Sequence, residues 1–294
     1  MRKFVYLAIP FFLFSCQKDQ EKTHTVESSS AIVKDLQQLG FNTEEGFHPF
    51  EDGYIVEYDI FLRPADIARL MQHKDDQQIT IIPTVTKLNA GTNNGAKSNE
   101  DGKRNINHYR TREIVQVPSG NQPRVINLYA APILGQKINS ALGEAAERFN
   151  ALKINLEFKQ VFNPNEADIA LRNTRNVKFL MSAGFPFNNN PYHEILVNTD
   201  YYHDQATRKD FVSTILHEIG HCIGFRHTDF MNRKFSCPRE TKDLNEGPDI
   251  IGAEHIPGTP KGPEQNSWML ACSSTTDRPF SYFDIVALRQ VYPL

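Results

Sequence analysis

The sequence has no block of a single charge. Lysine and arginine are spread along the chain and nearly matched by aspartate and glutamate, for a formal net charge of −3. Without a basic stripe there is no electrostatic footprint for nucleic acid, and that class of partner is set aside. No apolar run is long enough to cross a bilayer as a helix; the one membrane-like stretch is short and lies at the extreme N-terminus. No internal repeat is evident. Cysteine is sparse, four in all, and none falls between Cys16 and Cys222.

What is present suits a folded chain. Hydrophobic residues make up 39% of 294 residues, enough to bury one substantial core and a small second one. Arg2 and Lys3 precede an apolar run over residues 4–14, and Leu13, Phe14, Ser15 and Cys16 then resemble a bacterial lipobox. In that arrangement residues 1–15 are the signal peptide, and Cys16 is lipidated and opens the mature chain. The plainer alternative is an ordinary cleaved signal peptide with a chance cysteine. Residues 17–21 (QKDQE) look like the short polar tag that sends some Gram-negative lipoproteins outward. The expectation is an exported, membrane-attached lipoprotein of the outer membrane or cell surface. Export favours disulfides, and with Cys16 lipidated the odd set Cys222, Cys237 and Cys272 leaves at least one thiol over.

Residues 16–30 are polar and read as a tether. A small unit follows over residues 31–88. Residues 31–39 carry Ile32, Val33, Leu36 and Leu39 at helical spacing and stop at Gly40. Residues 54–62 alternate as one strand, and Pro64 opens a short helix over 64–71. Residues 89–119 form a linker, and its polar part, up to Asn107, is an exposed region prone to cleavage. The small unit is therefore expected to be separable. From about residue 110 the pattern is α/β: strands at 124–130, 153–161, 167–171 and 194–198, and a helix at 138–152 with Ile138, Leu142, Ala145, Ala146, Phe149 and Leu152 on one face. A second helix spans 210–224.

That second helix carries the chemistry. From residue 217 the sequence reads His-Glu-Ile-Gly-His-Cys-Ile-Gly-Phe-Arg-His. His217 and His221, four apart, stand one turn above the other on the same helix face. Gly224 lets the chain leave the helix through a conformation that a Cβ resists, so His227 can swing back as a third ligand. Three histidines leave a fourth position open for water, the pattern of a catalytic zinc rather than a structural one. Glu218 beside the first ligand can reach that water as a base. Two histidines alone would carry little weight. Five specified residues in this window arise by chance with a probability on the order of 10⁻⁴ or less.

HExxHxxGxxH is the metzincin signature, and HEIGHCIGFRHTD is most similar to the dual-action HEIGH metallopeptidases. The resemblance covers roughly residues 120–294. It implies a mixed α/β (α+β) catalytic domain with a twisted sheet, a backing helix and an active-site helix. Met269, in Asn-Ser-Trp-Met, matches the methionine turn beneath the metal, and residues 280–293 resemble the C-terminal helix of matrixins and astacins. Residues 56–60 (VEYDI) and Tyr109-Arg110-Thr111 look more loosely like the HEIGH pro-region. Two departures matter. Ala271 stands where astacins and serralysins place a tyrosine ligand, so none is expected there. No pro-region cysteine exists to hold a latent zinc; an Asp or Glu of the N-terminal unit could serve instead. Cys222 is about 100° round the helix from the ligand face and reads as packing or disulfide chemistry. A Cys237–Cys272 bridge would staple the lower half of the site.

The resemblance implies a monomeric zinc endopeptidase acting on proteins or peptides, with Glu218 passing a proton from water to the leaving amine. Substrate would add to the sheet edge at residues 194–198. The rival is a non-catalytic zinc-containing surface lipoprotein that binds a partner. Cleavage in the linker would part the catalytic half from its anchor, so the N-terminal unit would be both tether and inhibitor of a zymogen.

Overall fold

A computed structural model describes residues 26–79, 108–120, 122–238, 246, 253–260 and 262–294. Cys16, most of the tether and the polar part of the linker lie outside the described residues. The N-terminal unit contains helix α1 (Val26–Gln38), strands β1 (His48–Phe50), β2 (Gly53–Val56) and β3 (Ile60–Leu62), and helix α2 (Pro64–Ile79). The short β4 (Tyr109–Arg110) leads into β5 (Arg124–Ala130), α3 (Gly135–Asn150), β6 (Leu156–Gln160), β7 (Ile169–Thr174), β8 (Met181–Ala183) and β9 (Glu194–Asn198). The chain closes with α4 (Phe211–Ile223), β10 (Phe225–Arg226), β11 (Glu254–His255) and α5 (Tyr282–Val291).

Strand β5 alternates as its sequence predicts, burying Ile126, Leu128 and Ala130. It pairs in parallel with β6 and β7, and β7 pairs in parallel with β9. Helix α3 buries Ile138, Ala141, Leu142, Ala145, Ala146 and Phe149, one stripe laid against β6 and α4. This is the expected mixed α/β architecture with a backing helix. The C-terminal helix starts on a capping box, in which Ser281 and Asp284 satisfy each other's backbone N–H groups.

The N-terminal half departs from expectation in three ways. Residues 54–62 are not one strand but the hairpin β2–β3, antiparallel with Val56 opposite Ile60. Its tip is Glu57-Tyr58-Asp59, and Glu57 and Tyr58 both lie in the left-handed region, at φ 51° and 77°. Neither residue favours that region. Hydrogen bonds from the Asn42 N–H to Glu57 (3.0 Å) and from the Tyr58 hydroxyl to Glu45 (3.1 Å) hold the tip.

Second, the unit is not free-standing. Strand β3 pairs in parallel with β8, Ile60 opposite Ala183, so one eight-stranded sheet runs β1-β2-β3-β8-β9-β7-β5-β6. Phe185 from the catalytic half belongs to the core built from Leu36, Leu39, Phe41, Val56, Leu62 and their neighbours. Ile55 and Phe61 pack with Phe179 and Leu196. Third, β9 is not an edge, because it lies between β7 and β8. The edges of the catalytic half are β6 and β8, and β3 covers β8.

Candidate metal centre

Helix α4 runs through the middle of the molecule, with Ile215, Leu216, Ile219 and Ile223 buried among the core residues. Gly224 ends it at φ 107°, its N–H turned back to the Gly220 and His221 carbonyls. A Cβ there would meet the Thr111 hydroxyl at 2.9 Å, because the Thr111 N–H donates to the Gly224 carbonyl at 2.7 Å. The chain then reverses through β10 and returns His227 to the face that carries His217 and His221.

The three Nε2 atoms lie 3.1 Å from one another in every pair. Ligands about 2.0–2.1 Å from a tetrahedral zinc lie about 3.3 Å apart, so the triangle fits that ion closely. Each remote nitrogen is tied down. His217 Nδ1 donates to the Trp268 carbonyl at 3.0 Å, and His221 Nδ1 to the Phe225 carbonyl at 2.9 Å. His227 Nδ1 meets the Glu246 carboxylate. With the protons on Nδ1, three Nε2 lone pairs face one another, an arrangement that only a cation between them relieves.

The electrostatics agree. Burial, and then His227, press His217 down to about 4, and burial holds His221 well below its ordinary value, so both are neutral ligands at neutral pH. His227 differs. Burial pulls it down, but the Asp59 and Glu246 carboxylates outweigh burial and raise it well above its ordinary value. A metal cation takes the place of that proton. Burial also pushes Glu246 up, yet His227, with Arg226 and Arg233, holds its carboxylate at about 2.

The fourth corner, expected to be open, is taken. Asp59 at the hairpin tip places Oδ2 3.1 Å from His227 Nε2 and 4.0 Å from His217 Nε2, while its Oδ1 is buried without a hydrogen-bond partner among the described residues. The tip has further holds. Glu57 pairs with the buried Arg226 at 3.2 Å, the Arg233 guanidinium lies 4.5 Å from the Tyr58 ring centroid, and Arg63 reaches Glu194 at 2.7 Å. Glu218 is buried next to His217, and its Oε2 also has no hydrogen-bond partner among the described residues. Burial, and then Asp59, raise its pKa well above the ordinary value.

Met269 lies fully buried under the centre. Gly220 is the residue that lets the turn approach: a Cβ there would fall 2.6 Å from Met269 Sδ and 2.7 Å from Trp268 Cη2. Asp284 holds the turn, accepting from the Ser267 hydroxyl (2.8 Å), the Trp268 N–H (3.0 Å) and His108 (2.5 Å). The last helix therefore anchors the methionine turn as well as closing the core. Cys237 and Cys272 are bonded, while Cys222 is a buried free thiol in the main core. At Ala271 no side chain reaches the metal site; its N–H donates to Asp229 at 3.0 Å.

Sequence reasoning left three contributors unassigned. Asp59 was one of several N-terminal acids that could have served; it lies in the VEYDI stretch that resembles the HEIGH pro-region, but so does Glu57, and spacing alone does not choose between them. Glu246 sits in a polar stretch with no motif around it. Gly220 is part of the HEIGH spelling, where its role beneath the helix could have been asked.

Among solved structures, two of myroilysin are similar, at 15% and 16% identity, covering 62% and 60% of this chain and 98% and 86% of theirs, with TM-scores of 0.40 and 0.39. High choriolytic enzyme 1, a hatching enzyme zinc-protease from the Medaka fish Oryzias latipes, is similar at 14% identity over 61% of this chain and 94% of its own, TM-score 0.38. No curated protein matches the sequence. The family described as dual-action HEIGH metallo-peptidase matches residues 87–292, which include every histidine and the methionine of the centre. With that match over most of its length, the chain belongs to the dual-action HEIGH metallopeptidases.

Proposed function

We propose that this protein is a zinc-dependent endopeptidase of the metzincin type, made as a zymogen in which Asp59 fills the place of the attacking water. The observation that carries the reading is the triangle of Nε2 atoms 3.1 Å apart, each with its Nδ1 engaged elsewhere. His217, His221 and His227 would hold the zinc. When bound, it supplies Lewis acidity that lowers the pKa of a water and polarises the substrate carbonyl.

Glu218 does the proton transfer. Its buried carboxylate, raised in pKa and with no donor to Oε2 among the described residues, takes a proton from water and gives it to the departing amine. The family match over residues 87–292, which spans the three histidines, Glu218 and Met269, supports the peptidase reading of which the endopeptidase is the form proposed here. Strand β8 would offer its main chain to a substrate once β3 has left. The lipobox at Leu13 to Cys16 supports export and lipid attachment.

The test is zinc-dependent hydrolysis of denatured protein by full chain freed of the Asp59 contact. Glu218→Ala should keep its zinc and its melting temperature while losing about 10²–10⁴-fold in rate. A Glu218→Ala protein that turns over at the parent rate would sink the assignment. Zinc binding without any cleavage would favour the partner-binding lipoprotein.

A further inference from the structure

Beside His217 and Glu218 lies a cavity of about 210 Å³. Its walls come from Ser213 and Thr214 on α4, from residues 178–181 leading into β8, and from the segment after the methionine turn. Asp59 of the hairpin borders it on the metal side. Arg278 lines this cavity and is half-buried, yet its hydrogen bond among the described residues is to a neutral group, the Cys272 carbonyl at 3.2 Å. Arg208, Arg226 and Arg233 by contrast each meet a buried carboxylate, Asp210 or Glu246.

The acids nearest in electrostatic terms are spoken for. Asp229 accepts from Ser236 and the Ala271 N–H, Asp210 from Arg208, Ser273 and Tyr202, and Asp284 from His108 and the methionine turn. Burial lowers the Arg278 guanidinium from its ordinary pKa, as expected of a cation drawn from water with no counter-ion in contact among the described residues. The Cys272 carbonyl that positions it belongs to a segment bonded to Cys237 and held by the Ser236 hydroxyl. Lys178 and Arg233 also border the cavity. Besides Asp59 at the hairpin tip and the base Glu218, the described residues of its lining include no acid.

We infer that this cavity receives an acidic side chain of the substrate, adjacent to the cleaved bond, and that Arg278 is the specificity-determining residue that pairs with it. A half-buried guanidinium lining this cavity gains a charge-assisted, two-pronged contact with a carboxylate that a neutral side chain cannot supply. The inference rests on the peptidase reading and deepens it by naming the substrate class.

The test uses zinc-loaded full chain carrying Asp59→Ala, with a peptide library in which every residue type is equally represented. Cleaved peptides should show Asp or Glu enriched about tenfold or more at one position flanking the cut. Arg278→Gln should lose that enrichment while still cutting neutral sequences, Arg278→Lys should keep part of it, and Arg278→Glu should turn it toward Lys and Arg. Zinc content and melting temperature check that the variants fold. A flat profile, or one unchanged in Arg278→Gln, overturns the inference while leaving the peptidase reading intact.

A second arm does not need turnover. A short labelled peptide with one Glu, and its Gln counterpart, are bound by fluorescence anisotropy to the same protein carrying Glu218→Ala. Tighter binding of the Glu peptide that vanishes in Arg278→Gln supports the pocket even if no cleavage is ever seen. Equal binding of the two overturns it.

Discussion

Replacing Asp59 with Ala in the intact chain is the most direct way to ask whether the hairpin tip inhibits. The carboxylate is buried, meets His227 Nε2 at 3.1 Å and faces His217 at 4.0 Å. Breaking a buried charged contact by removing one partner costs about 3–5 kcal/mol. Other holds on the tip survive the change: the Glu57–Arg226 pair, the Arg233–Tyr58 stack, and the main-chain bond from the Ala183 N–H to the Asp59 carbonyl at 3.1 Å. The lower end therefore applies, and about 3 kcal/mol corresponds to a shift of about 100-fold in the open population. The assay is the initial rate on a quenched peptide, per bound zinc, for wild-type and Asp59→Ala full chains. Asp59→Asn, which keeps the shape and loses the charge, should fall between them. A wild-type full chain already as fast as Asp59→Ala would refute the reasoning.

Two further perturbations probe the frame of the site. Glu246→Gln leaves His227 Nδ1 without its charged partner and should weaken zinc about 10–100-fold in a chelator competition; unchanged affinity would mean that Glu246 does not orient the ligand. Gly220→Ala gains about 1 kcal/mol of helix propensity but forces a methyl to within 2.6 Å of Met269 Sδ, an overpacking worth about 1–3 kcal/mol. The net should be a lower melting temperature or looser zinc, and a stabilised, fully loaded variant would contradict the close approach.

The metal ligands were legible because their chemistry imposes spacing: a helical turn between His217 and His221, then Gly224 to reverse the chain toward His227. Amphipathic faces were legible for the same local reason, as in β5 and α3. The hairpin was not. Residues 54–62 alternate without a Gly, Asn or Pro at 57–59, so nothing announces a turn, and the left-handed backbone of Glu57 and Tyr58 is held by contacts with distant residues, among them Asn42, Glu45, Arg226 and the Gly46 carbonyl. Strand order is likewise non-local. That β9 lies inside the sheet, and β8 at an edge of the catalytic half, follows from pairings between distant residues that no periodicity records. Glu246 and Asp59 reach the centre through tertiary contacts alone.

The core shared around Phe185 has a consequence for how such a precursor would be switched on. Phe41, Leu62 and their neighbours in this core all belong to the described residues before 79, so their seat on the catalytic half does not depend on the chain being continuous between residues 79 and 108. A cut there changes only the molecularity: a docked element with a millimolar local concentration becomes a separate fragment whose occupancy depends on how much of it is present. On the proposed zymogen reading, activation would proceed in two stages, a chemical one and a physical one. Dilution would complete the second, so a severed precursor crowded at a membrane surface would stay quiet while one that has diffused away would not.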